Sequence, residues 1–196
     1  LPFSLGFIED PDEAMKSSIA YLFTALRRWT GKLAVFCNFS NIKAPEGQKN
    51  TFLGLIEKSI FPVNPVNKMK KNPELVNFHP KVWIIQETGV NGEGSRIKVI
   101  VMSRNITMDN SLDVVCELTG TIGEKDASQT SQTKHKPLWD FLNYLKRYAD
   151  QQKAKMIERL IVSLKKVRKF DLDDSPFDDY SFHPMGIKEH ISDGQE

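Results

Sequence analysis

Apolar positions recur along this chain in two alternating rhythms. Met15, Ile19, Leu22, Phe23 and Leu26 repeat at helical spacing behind Asp10 as N-cap, Pro11 at the first helical position and the acidic pair Asp12 and Glu13. This predicts an amphipathic helix over about 11–30, stopped by Gly31. The continuous apolar run 33–39 predicts a strand covered on both faces, and the polar stretch 40–50 a loop. A short helix is expected over 51–60, with Phe52, Leu55, Ile56 and Ile60 on one side and Pro62 and Pro65 preventing its continuation. Val82 to Ile85 and Ile97 to Met102 flank a Gly/Asn-rich break, the pattern of a β-hairpin, and a third strand is expected over 111–118. The stretch 120–133, poor in apolar residues, is expected to be mobile. Pro137 is expected to open a helix striped by Leu138, Phe141, Leu142, Leu145 and Tyr148, and Met156, Ile157, Leu160, Ile161, Leu164 and Val167 stripe a second.

These elements define an α/β protein with a mixed β-sheet flanked by helices. The expected organisation is a core over 1–119, a mobile linker over 120–134, a helical pair over 135–169 and an acidic, aromatic tail over 170–196. The 196 residues suffice for one sizeable core, and 40% apolar with 27% charged residues is ordinary for a soluble globular chain. A net charge of +2 leaves any basic surface local: Lys68, Lys70 and Lys71, or Lys165, Lys166, Arg168 and Lys169, each first read as a solvated face. Cys37 and Cys116, both in apolar runs, are expected to be reduced, buried thiols, which points to a cytoplasmic protein. No apolar stretch has the length of a bilayer span, so no membrane partner is expected.

The chemistry gathers at one end of the hairpin. His79 and Lys81 share a face of the first strand because side chains alternate with period two. The second strand returns antiparallel and should bring Ser103 and Asn105 beside that start. Imidazole, ammonium, hydroxyl and carboxamide would then converge on a pocket suited to a phosphate diester.

The order His79-x-Lys81, strand, turn, strand, Ser103-x-Asn105 resembles one half-site of the phospholipase D superfamily, over roughly residues 32–118. The resemblance implies one phospholipase D-like repeat. It also implies metal-independent phosphodiester chemistry with no cofactor, in which His79 is the nucleophile forming a phosphohistidine and Lys81 and Asn105 stabilise the phosphate oxygens. The family's fuller motif places an Asp where this chain has Gln86, a loss shared with the tyrosyl-DNA phosphodiesterase branch. Gln86 is retained as a candidate orienting residue beside Ser103. Asp113 is either the acidic partner that Gln86 no longer supplies or a solvent-facing carboxylate.

The family's leaving-group acid is a histidine from a second half-site. His135, His183 and His190 lack a Lys two positions later, so the partner is expected from an isologous dimer or from a second half beyond these residues. The first residue, Leu1, fits an excised segment, and the aromatic tail favours a missing second half. Nucleic acid is the expected substrate, since no lipid-presenting helix is evident. The competing expectation is a catalytically silent phosphate pocket that binds DNA or a partner protein. The spaced acids Asp171, Asp173, Asp174, Asp178 and Asp179 lack the Gly and closing Glu of an EF-hand loop, so no metal site is assigned to them.

Overall fold

The structure, a computed structural model, describes residues 28–38, 56–64, 78–89, 94–104, 112–172 and 175–186. Helices and strands are both present, as expected of an α/β chain. The chain divides into two compact units, Leu1–Phe78 and His79–Glu196. That boundary falls inside the segment 1–119 expected to form one core, and the third strand of the sheet that follows it is bridged to the chain beyond the second helix, Thr119 to Asp171.

In the first unit, β1 (Val35–Asn38) pairs in parallel with β2 (Ile60–Val63). Residues 28–30 are helical, and the rest of the helix expected over 11–30 lies outside the described residues. The helix expected over 51–60 is described only at its end, where a single 3-10 turn at Glu57–Ser59 runs straight into β2. Strand β2 was not expected because Pro62 lacks the N–H of a ladder residue. Its ring is tolerated opposite Cys37, while Phe61 packs on Phe36 with centroids 5.6 Å apart. The fully buried Ser59 hydroxyl donates to the Thr30 carbonyl at 2.9 Å, which satisfies its buried oxygen.

The second unit is built on an antiparallel sheet in the order β3 (Val82–Glu87), β4 (Arg96–Met102), β5 (Val115–Thr121). The register opposes Ile84, Val99 and Leu118 on one face and Trp83, Ile100 and Glu117 on the other. Ile97, Val99, Leu118 and Gly120 on the first face are buried, whereas the second carries Lys98 between Glu87 and Glu117. Those carboxylates, Glu117 foremost, push the Lys98 ammonium above the usual lysine range.

Helix α1 (Gln129–Lys146) starts eight residues before Pro137. The expected mobile linker 120–134 is therefore largely structured. Its first two turns are polar and carry no apolar stripe, yet Ser128 caps them by accepting from the Ser131 N–H at 3.3 Å. Pro137 sits inside the helix, on a half-buried position. Helix α2 (Gln151–Lys165) is capped by Asp150, whose carboxylate accepts from the Lys153 N–H at 2.8 Å. The stripe His135, Leu138, Leu142 and Leu145 of α1 and the stripe Ile157, Ile161 and Leu164 of α2 are buried.

After α2 the chain is joined to β5 by its backbone. Gly123 and Ala127 donate to the Lys166 and Lys165 carbonyls, Ile122 bridges Val167, and Thr119 exchanges hydrogen bonds with Asp171 at 3.3 and 2.8 Å. Phe170 and Val167, both fully buried, press on Gly120. A Cβ at Gly120 would lie 2.5 Å from Val167 and 2.9 Å from Phe170, so the space is available only to glycine. Gly120→Ala is expected to cost about 1–3 kcal/mol in thermal or urea unfolding through overpacking. Gly94→Ala, where an added Cβ meets only Thr121 at 3.7 Å, is expected to unfold like the parent.

Candidate phosphate-binding site

The strand order sets which residues can meet. The start of β3, the end of β4 and the start of β5 lie at one edge of the sheet, and these are the positions of His79 and Lys81, of Ser103, and of Asp113. The Met102 N–H donates to the Lys81 carbonyl at 2.9 Å, and Ser103 exchanges backbone contact with Val114, donating to its carbonyl at 2.9 Å. The hairpin thus returns Ser103 to the strand next to that of His79, but with Lys81 opposite Met102 the Ser103 side chain falls on the other pleat face from Lys81, so the expected convergence of the two is not formed.

Two pairs of functional groups occupy this edge. His79 is exposed, and the Lys81 ammonium lies 2.6 Å from its Nδ1, 3.1 Å from its Nε2 and 3.2 Å from its carbonyl. The shared face of a strand produces this pairing, since residues two apart point the same way. An oxyanion entering here would meet two nitrogen donors at the exposed end of the strand.

The second pair faces β5. The Ser103 hydroxyl accepts from the Val114 N–H at 2.9 Å and donates to the Asp113 carboxylate at 3.4 Å, while Arg104 Nε stands 3.9 Å from the same carboxylate. Ser103 and Asp113 are therefore engaged with each other. The alternation that found Ser103 could not reveal that its hydroxyl would be taken up by the backbone of the next strand. Arg104 did not figure among the expected site residues, although its position between Ser103 and Asn105 was the available signal.

Gln86 is not brought to this edge. It pairs with Ile97 near the hairpin turn, about 16 Å along the strand from Lys81, and on the opposite pleat face. A residue five places on in a strand cannot share a face with Lys81, so the expected orienting role has no geometric basis. Asn105 lies outside the described residues.

Elsewhere in the second unit, Arg168 and Lys169 line an open cavity of about 500 Å³ with Thr121, Gly123, Ser128, Ser131 and Asp171. It adjoins the far end of β5, away from His79. Both cysteines are free, but Cys116 is exposed, contrary to expectation, because only the later half of β5 is covered by the chain after α2. Burial raises the Cys37 thiol above its usual range. Among the described residues there is no group of three His, Cys, Asp or Glu side chains placed to hold a metal ion, and no helix long and apolar enough to cross a membrane.

Comparison of the chain with protein-family models, with curated proteins and with solved structures finds no match.

Ser103→Ala removes the acceptor for the Val114 N–H and the Asp113 contact. A destabilisation of about 1 kcal/mol in urea unfolding is expected, with the Asp113→Ala effect not adding to it in a double-mutant cycle.

Proposed function

We propose that this chain is a phosphodiesterase half-site of the phospholipase D type, acting on nucleic acid and completed by a second half-site. The observation that supports it is the contact of the Lys81 ammonium with the His79 ring at an exposed sheet edge, with Ser103 held on the adjoining strand. On this reading a diester phosphate displaces the ammonium from the ring. Lys81 then binds a non-bridging oxygen, and the freed imidazole attacks phosphorus in line. The phosphorus–oxygen bond to the leaving group breaks as the nitrogen–phosphorus bond forms. The leaving oxygen takes its proton from the histidine of the second half-site, and water later hydrolyses the phosphohistidine. That second half-site comes from another copy of the chain or from a further segment of a longer protein. A reducing, cytoplasmic setting is part of the proposal, supported by two free thiols.

A second reading, a silent phosphate-binding module, is favoured by two observations. The His79 ring nitrogens are engaged by Lys81, and the position that carries an Asp in the family motif is Gln86, turned away from the site.

The two readings are separated by hydrolysis of a fluorescent oligonucleotide in EDTA, using the complete protein. Catalysis predicts turnover that His79→Ala abolishes and Lys81→Ala lowers by about two orders of magnitude, the loss of one donor worth about 3 kcal/mol. Salt-dependent binding without turnover selects the silent module.

A further inference from the structure

The buried imidazole of His135 lies outside the proposed site. It is fully inaccessible to solvent on the core face of α1, an uncommon place for a titratable ring. Its Nε2 lies 2.7 Å from the Tyr180 hydroxyl, and that oxygen accepts from the Phe170 N–H at 3.0 Å. The rings of Phe170, Tyr180 and Phe182 close around it, with centroids 5.0, 6.0 and 6.5 Å away. The segment 175–186 thus meets α1 at this histidine, beside the Lys134–Asp179 ion pair.

We propose that His135 is an acid-sensitive latch: its neutral ring accepts the Tyr180 hydroxyl and docks the segment 175–186, and a proton on the ring releases it. The hydrogen-bond inventory supports this. Tyr180 receives the Phe170 N–H, which leaves its own proton for Nε2, and in that arrangement Nε2 offers the lone pair of a neutral imidazole. A protonated ring makes Nε2 a donor, so the Tyr180 oxygen would have to accept twice and its proton would lose its acceptor. Nδ1 is buried without a hydrogen bond, and the Val167 backbone, which favours a charge on the ring, acts more weakly than the burial that opposes it.

The surroundings also oppose a positive ring. On α1, Lys134 precedes His135, stands 4.1 Å from the Tyr180 ring centroid and is ion-paired with Asp179. From the docked segment come Asp179, fully exposed and committed to Lys134, and His183, which is bonded to the Ser181 hydroxyl at 2.7 Å. From the connection after α2, Lys169 acts on Asp179 and Asp171 on Tyr180, while Val167 presents backbone and Phe170 its ring. Burial first, and Lys134 second, hold His135 below the usual imidazole range, with the Val167 backbone pulling weakly the other way. The released state titrates normally. Docking is therefore at full strength above about pH 6.5 and weakens as pH falls from there to the lower pKa of the docked ring.

The test is amide hydrogen exchange of the intact chain from pH 7.5 to 5, corrected for intrinsic exchange chemistry and read by peptide. Peptides within 175–186 are expected to open about tenfold more per pH unit below about 6.5, the slope of one proton taken up, while β4 and α2 keep their protection. His135→Phe is expected to abolish that slope. Tyr180→Phe, which keeps the ring and removes the hydroxyl, is expected to open the segment at pH 7.5 and flatten the slope, and serves alone should His135→Phe not fold. Opening that is independent of pH, that keeps its slope in either variant, or that occurs only together with β4 would overturn the latch.

Discussion

The second unit depends on how closely Phe170 and Val167 approach Gly120. Their side chains occupy the space a Cβ would need, so the chain leaving α2 can lie directly on β5. That approach allows the bridges from Ile122 to Val167 and from Thr119 to Asp171, which continue the sheet's hydrogen bonding beyond its last strand. It also delivers Phe170 to the ring of His135, so one close contact joins the sheet, α1 and the tail into a single core. Such close-packed contacts resist even small changes in volume.

The same arrangement distributes rigidity unevenly along the sheet. The half of β4 and β5 near Ile97, Val99, Leu118 and Gly120 is buried on one face, and its positions are set by packing there. The opposite edge, with Val101, Val114 and Val115 exposed, is held by backbone hydrogen bonds and by the contacts of Ser103 with Val114 and Asp113. His79 and Lys81 stand at that edge. A strand whose far half is fixed aims their side chains in one direction, while exposure leaves the side chains free to turn from each other to an arriving anion. Ser103 has less freedom, because the Val114 N–H and Asp113 already hold its hydroxyl. The edge therefore carries an adjustable cation and imidazole on one face and a fixed hydroxyl on the other.

Much of this was legible in the chain's own pattern. Two β-branched runs around a Gly/Asn break determine a hairpin, and strand alternation alone puts His79 with Lys81, while the register sets Ser103 on the other pleat face of the neighbouring strand. The stripes of α1 and α2 mark their buried faces, because the apolar period matches the turn of a helix. Period-two alternation also excludes Gln86 from the Lys81 face, although a motif match had suggested it as a site residue. Where local pattern governs, as in hairpin register and helix face, sequence sufficed.

What only tertiary structure decided are the features made by contacts between distant segments. Pro62 argues against a strand, yet pairing with β1 makes one; the polar start of α1 carries no stripe, yet Ser128 caps it and the chain after α2 holds it. His135 has no motif, and its meaning comes from Tyr180 and Phe170, which lie 45 and 35 residues further along the chain. A side chain's hydrogen-bond partners, and hence its proton, are settled by which distant groups burial brings to it, and no local spacing encodes that.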